Sequence, residues 1–386
     1  MPWKTMEVRQ QRVEFIVQAL RSSAPLSQLC HEFGISRPTG YKWVARYRAG
    51  GVEAIAERSR RPHRSPTQTE PDLEARIVAL RALYPDWGAR KLVVLLKRQG
   101  IELPPSTMHR VLLRHGLVRD ADRHPPATQR FERARPNELW QMDFKGPKNW
   151  PQKMTALSVL DDHSRYLVAL KPTARPEGRL VQQHLIQAFE ECGLPEAMLM
   201  DHGIPWWQAQ SFAGSTRLSL WLMRQGIQLH FSGVRHPQTQ GKVERFHGSM
   251  ERALNHRGVP TQGHAEWLEN YRLEHNHIRP HEALDMQTPA TRWQPSPRPY
   301  QPNPPAWEYP EDAWTLKVDI KGTIDIREQP YRISKALVGE RVHILPLEDR
   351  YLVYYCNTLI REIDPARQRS TIVERCLADA NSPQQV

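Results

Sequence analysis

His236-Pro-Gln-Thr-Gln-Gly-Lys-Val-Glu-Arg-Phe-His247 is the stretch on which the reading of this chain turns. From Gly241 onward the apolar residues fall at helical spacing, with Val243, Phe246 and Met250 on one side. Gly241, Glu244, Gly248 and Glu251 share the opposite face. The spacing predicts a helix over about 240–256 that presents Glu244 beside small neighbours, where a substrate backbone can approach.

Two further carboxylates lie in contexts that complement Glu244. Asp143 sits in Leu139-Trp-Gln-Met-Asp-Phe144, where a strand puts Trp140, Met142 and Phe144 on one side and Asp143 on the other. Asp201 follows an apolar strand over 197–200 and precedes Gly203, and ligands collect at strand ends in α/β sheets. Three converging carboxylates suit two hard cations about 3.5–4 Å apart. One ion would activate an attacking water or 3′-hydroxyl, and the other would stabilise the leaving oxygen. Like charges this close repel, so such a site needs a cation or a raised carboxylate pKa.

Outward from these residues the chain reads as mixed α/β over 137–292. Strands fit 139–144, 154–160 and 165–170, separated by Gly146-Pro147 and Asp161-Asp-His-Ser164. A helix over 179–192, the strand 197–200, a helix near 215–225, a strand with Ile227, Leu229 and Phe231, and the helix 240–256 complete a layered arrangement. The eight prolines between 289 and 310 predict a stiff linker, with its boundaries set at 293–312. Beyond it Trp314, Leu316, Val318 and Ile320 alternate with other residues, and short apolar runs recur to Tyr355. A small all-β barrel, SH3-like, is expected over 313–365, with a tail over 366–386.

The N-terminal third carries the charge. Residues 1–136 hold 25 lysines and arginines against 13 acidic residues, and the remainder holds 29 of each, so the whole +12 excess sits there. A basic segment joined to a neutral remainder points to a polyanion-binding module. Residues 1–56 read as a helix-turn-helix: Val13, Ile16, Val17 and Leu20 on a first helix, Leu29, Cys30 and Phe33 on a second. Gly34 ends the second helix and Ser36 caps a third. That third helix buries Trp43, Val44 and Tyr47 and leaves Arg37, Thr39, Lys42 and Arg46 for a major groove. Residues 57–70 form a basic linker. A second helix-turn-helix-like unit is expected over 71–136, with Ser106 capping its third helix, Arg110, Arg114 and Arg119 keeping it basic, and Arg110 and Arg114 assigned to DNA.

Taken together these segments resemble the bacterial insertion-sequence DDE transposases with a retroviral-integrase-type core. The resemblance is carried by Trp140-Gln-Met-Asp143-Phe, Leu160-Asp-Asp-His-Ser-Arg165, His236 to His247, Asn276-His-Ile-Arg-Pro-His-Glu-Ala-Leu284 with Thr288-Pro-Ala290, and Phe33 to Trp43. It covers about residues 7–292. It implies an RNase H-like catalytic fold, dependence on Mg2+ or Mn2+, and a homo-multimer assembled on double-stranded DNA at paired element ends. By position, Asp143, Asp201 and Glu244 carry over as catalytic residues and metal ligands. The 42 residues between Asp201 and Glu244 make a longer interval than is usual in the family, and His202 stands where asparagine is commoner. The zinc-binding N-terminal domain of retroviral integrases has no counterpart.

Other residues have a chemical and a plain reading. Lys242 and Arg245 could clamp a phosphate or form a solvated helix face. His236 and His247 could approach DNA. Trp206 and Trp207 could stack on an unpaired base or pack in the core, and Asp162 reads as a turn residue. The cluster His275, His277, His281 looks metal-like in composition, but its context is structural. Four cysteines without Cys-x-x-Cys spacing make disulfides and structural zinc unexpected. No apolar run is long enough for a membrane span, and no signal peptide is evident, so a cytoplasmic, nucleoid-associated protein is expected. The alternative to a transposase is a catalytically silent DNA-binding regulator, against which the three retained carboxylates argue; a plain nuclease is disfavoured by two helix-turn-helix units.

Overall fold

The computed structural model describes residues 8–56, 68–118, 132–146, 154–208, 214–232 and 240–373. The chain divides into two compact units, residues 1–68 and 69–386. Among the described residues, no helix is long and apolar enough to cross a membrane.

The first unit holds three helices, α1 (Val8–Arg21), α2 (Leu26–Glu32) and α3 (Arg37–Gly50), closed by a 3-10 turn over Gly51–Ile55. Ser36 caps α3 by accepting from the Thr39 N–H at 3.4 Å, and Pro38 suits the first turn. Phe15, Ile16, Leu29, Cys30, Trp43, Val44 and Ile55 form its core. A Cβ on Gly40 would lie 2.4 Å from Cys30 Sγ, so glycine is what lets α3 cross α2 so closely. The inward face of α1 is rotated from the sequence expectation. Phe15 joins Ile16 inside, while Val17 and Leu20 are exposed, because the larger aromatic fills the space facing Phe33.

The second unit begins with α4 (Pro71–Leu83), α5 (Ala89–Arg98) and α6 (Pro105–Arg114), packed around Ile77, Trp87, Leu92, Leu96, Met108 and Val111. Helix α6 starts two residues earlier than expected. Pro104 takes the cap position and Pro105 the first helical turn, so Ser106 is not the cap. Buried Asp86, between α4 and α5, joins this bundle to the α/β layers that follow. It accepts from Arg257 at 2.6 and 3.0 Å and from Arg279 at 2.9 Å.

The α/β layers carry β1 (Leu139–Lys145), β2 (Thr155–Asp161), β3 (Leu167–Thr173), α7 (Gly178–Cys192), β4 (Ala197–Met200), the short pair β5 (Trp207–Gln208) and β6 (Gly214–Ser215), α8 (Arg217–Arg224), β7 (Gln228–Phe231), α9 (Gly241–Arg257) and α10 (His264–Leu273). The main sheet runs β3-β2-β1-β4-β7, with β1–β3 an antiparallel meander and β4 and β7 parallel to β1. Strict alternation on β1 sends Trp140 and Met142 to the face covered by α7 and α8. It sends Gln141 and Asp143 to the face covered by α9, whose Phe246 and Met250 pack with α10 on Ala156, Leu160 and Leu167. Asn276 then pairs with β3 like an added strand, accepting from Leu167 N–H at 2.8 Å and donating to its carbonyl at 2.9 Å.

The proline-rich stretch is a strap laid on this core. Trp293 stacks on Tyr166 with ring centroids 4.0 Å apart. Ser296 N–H donates to the Cys192 carbonyl, and Arg298 donates to the carbonyls of Pro195, Gln225 and Gly226. Prolines remove backbone donors, and here side chains and the remaining amides satisfy the neighbouring carbonyls instead. Beyond the strap are antiparallel sheets: β8 (Thr315–Lys317), β11 (Arg341–Leu347), β12 (Arg350–Tyr355), β13 (Thr358–Asp364) and β14 (Arg369–Ile372) in the order β14-β13-β12-β11-β8, and the pair β9 (Thr323–Ile326) with β10 (Gln329–Arg332). Strand β14 lies past residue 365, where the sequence reading ended the strands; its Arg-Ser-Thr-Ile sequence has a single apolar residue, too few to show a pattern.

Candidate active site

Asp143, Asp201 and Glu244 are delivered by three different elements: the α9-facing side of β1, the end of β4 and the first turn of α9. Asp143 is the inner member, with 21% of its side chain exposed. Its Oδ1 accepts from the Phe144 N–H at 2.7 Å, and Oδ2 lies 3.6 Å from His247 Nδ1. Burial, reinforced by the carboxylates of Asp201 and Glu244, lifts its pKa to about 6. Asp201 and Glu244 therefore both lie within electrostatic reach of Asp143.

Asp201 is held by its own loop. Its Oδ1 accepts from the Gly203 N–H at 3.0 Å and from Trp206 Nε1 at 2.8 Å, and Trp206 Nε1 also reaches the Asp201 carbonyl at 2.9 Å. A Cβ on Gly203 would sit 2.8 Å from Oδ1 and 3.0 Å from Oδ2, so any larger residue displaces the carboxylate. His202 turns away, its ring 5.0 Å from Trp207 and 5.6 Å from Phe231.

Glu244 is exposed, and what fixes it is the anchoring of α9. Gln141 Oε1 accepts from the Val243 N–H at 3.3 Å, while its Nε2 donates to Asp162 Oδ1 at 2.8 Å. Asp162, fully buried, also accepts from the Arg133 N–H at 2.8 Å and pairs with Lys242 Nζ at 2.5 Å. Asp162, in the turn after β2 as the sequence predicts, is also the hub that seats α9 on the sheet. Lys242, offered as a phosphate clamp, is corrected for the same reason: its ammonium points inward. Burial brings it down to about 8 even with Asp162 opposing that shift. Arg245 is the basic neighbour that remains exposed.

His247 is likewise buried and does not face DNA. Its Nε2 lies 3.0 Å from Ser158 Oγ, and burial lowers its pKa to about 3, so the ring is neutral beside Asp143. His236 and Arg119 lie outside the described residues. His275 and His281 are in ring contact at 4.5 Å, and His275 Nε2 meets the Arg165 carbonyl at 3.0 Å, which is packing rather than ligation. Trp206 and Trp207 are buried, so neither is available to stack on a base.

Among the described residues, no three His, Cys, Asp or Glu side chains stand close enough to hold a metal ion as they are. The oxygen-only donor set nevertheless suits a hard cation, and Asp143 feels both other carboxylates as unfavourable neighbours that a cation would neutralise. The orienting roles of Gln141, Ser158 and Trp206 carry no sequence signal and become recognisable only when strand register and loop path bring these residues to the carboxylates.

In the first unit, Arg37 and Lys42 are exposed on α3, while Arg46 is half-buried. The Arg46 and Lys42 cations lie 5.0 and 5.2 Å from the Trp43 ring. Thr39 is engaged at the cap, its Oγ1 2.9 Å from Ser36 Oγ, whereas Tyr41 is 63% exposed on the outward face. On α6, Arg110 is exposed and donates to Thr107 at 3.1 Å, and Arg114 is paired with Glu74.

Comparison with known families matches a helix-turn-helix domain at residues 11–63, a homeodomain-like domain at 39–112, the integrase core domain at 133–237 and again at 225–289, and the C-terminal domain of IS481 family transposases at 313–371. The insertion element IS407 uncharacterized 31.7 kDa protein of Burkholderia multivorans is 27% identical over 226 residues, covering 56% of this chain and 79% of that protein. The IS476 uncharacterized 39.2 kDa protein of Xanthomonas euvesicatoria is 26% identical over 240 residues, covering 58% and 65%. The HTLV-2 integrase catalytic core domain in complex with magnesium is similar at 16% identity and a TM-score of 0.34, over 42% of this chain and 99% of that one.

Proposed function

We propose that the chain, whose segments match the integrase core domain and the C-terminal domain of IS481 family transposases, is an insertion-sequence transposase that binds the terminal inverted repeats of its element, hydrolyses phosphodiesters at the ends and joins them to target DNA. Asp143, Asp201 and Glu244 are the residues we assign to Mg2+ or Mn2+, two ions in all. Bound divalent ions supply the activation of the attacking oxygen and the neutralisation of the leaving one. The chain's own part is to hold three carboxylates at that place and to keep two of them oriented through Phe144, Trp206 and Gly203. Arg245 is positioned to steer a backbone phosphate past Glu244. Arg37 and Lys42 of α3, and Arg110 of α6, are the basic residues assigned to DNA. Assembly as a homo-multimer on paired ends completes the reading.

The observation that carries it is that three elements far apart in sequence deliver Asp143, Asp201 and Glu244 so that both other carboxylates add to the burial that raises the Asp143 pKa. The test uses Asp143→Asn and Glu244→Gln. Each is expected to abolish cleavage and strand joining while end binding stays intact; full activity in Mg2+ for either variant removes the site from consideration.

A further inference from the structure

The support of the two aspartates has a feature that the triad itself does not require. Phe144, directly after Asp143, and Trp206, bonded to Asp201, are stacked with ring centroids 5.0 Å apart and planes inclined by 5°. Each aspartate has one oxygen occupied by a neutral N–H: Asp143 Oδ1 by Phe144 at 2.7 Å, Asp201 Oδ1 by Trp206 at 2.8 Å and Gly203 at 3.0 Å. Among the described residues, no donor is bonded to Asp201 Oδ2. Trp206 is 1% exposed, and the only polar atom of its side chain, Nε1, serves Asp201 alone.

We propose that Trp206 is a positioning residue for Asp201, and that its stack on Phe144 sets the separation of the Asp143 and Asp201 carboxylates at which a divalent cation is held. The proposal rests on the reading of these carboxylates as cation ligands. A neutral donor on Oδ1 fixes the carboxylate rotamer without neutralising its charge, so Oδ2 stays fully available to a cation. The aromatic stack ties the loop after β4 to β1, so the two carboxylates cannot relax apart in response to their repulsion. Partners that orient ligands in this way typically change metal affinity about 10-fold or more when removed.

The experiment measures Mn2+ binding to the full chain by electron paramagnetic resonance, and the Mg2+ dependence of end cleavage. Trp206→Phe keeps a stacking ring and removes the N–H. It is expected to raise the Mn2+ dissociation constant and the half-saturating Mg2+ about 10-fold, with end binding unchanged and cleavage largely restored at saturating Mg2+. Phe144→Leu, which keeps the indole and removes its stacking partner, is expected to shift both in the same direction and decides the matter if Trp206→Phe does not fold. Asp201→Asn separates the two ideas. If it weakens Mn2+ binding while folded Trp206→Phe leaves it at the unaltered value, the role of Trp206 is overturned and the ligand reading stands. If Asp201→Asn itself leaves binding unchanged, the ligand reading falls, and the positioning role with it.

Discussion

Lys242 and Asp162 form a buried ion pair, Nζ to Oδ2 at 2.5 Å, with Asp162 fully enclosed. Removing one partner leaves an uncompensated charge in the interior, which typically costs about 3–5 kcal/mol. Lys242→Met is therefore expected to lower the urea midpoint sharply, and the double variant with Asp162→Asn to recover part of the loss. A phosphate contact predicts something else: near-normal stability and a DNA-binding salt slope reduced by about 1. Chemical denaturation and salt-dependent anisotropy distinguish the two outcomes.

Asp143 ties stability to pH and to cations. Its pKa is about 6 in the folded chain, against roughly 3.9 for an unfolded aspartate. Between these values the unfolded chain loses its proton first. The metal-free fold therefore loses stability as pH rises through this window, by roughly 3 kcal/mol for this group. Mg2+ should offset that loss, raising the melting temperature more at pH 7.5 than at pH 5 and not at all in Asp143→Asn. An equal rise in the variant would place the cation elsewhere.

Gly193 closes α7 at φ +74°, and a Cβ there would lie 2.5 Å from the Ser296 carbonyl and 2.9 Å from that of Arg298. Positive φ at a non-glycine residue alone costs about 1–3 kcal/mol. Gly193→Ala should destabilise the second unit by at least this much, read by urea unfolding. Unchanged stability would mean that the strap is not docked as described.

On α3, Arg37 and Tyr41 face outward while Trp43 and Val44 face the core. Arg37→Ala in the full chain should weaken end binding and reduce the salt slope by about 1. Tyr41→Ala should weaken binding with the slope retained, since the phenol carries no charge. Anisotropy titrations between 50 and 200 mM salt, taken as about the range in which such slopes develop, provide the check.

Much of this architecture is legible in the residues themselves. Period-2 alternation at Trp140, Met142 and Phe144 orients Asp143 correctly, and helical spacing at Val243, Phe246 and Met250 does the same for Glu244. What escapes the sequence depends on partners distant in the chain. Lys242 looks like any exposed lysine until Asp162 arrives from another turn, and His247 like any exposed histidine until Ser158 of β2 meets it. The proline-rich strap misleads because proline content reports missing donors, whereas its docking comes from Trp293, Ser296 and Arg298. Val17 and Leu20 mislead in the opposite sense, since periodicity cannot say which of two overlapping stripes the larger Phe15 will claim.

Asp86 has a wider consequence. Gripped by Arg257 at the end of α9 and by Arg279 beyond α10, it makes the helical bundle and the catalytic layers turn as one block. On the proposed reading, duplex held by Arg110 of α6 is then gauged against Glu244 by the protein's own dimensions. Bases inserted between the recognised sequence and the cut would break that gauge.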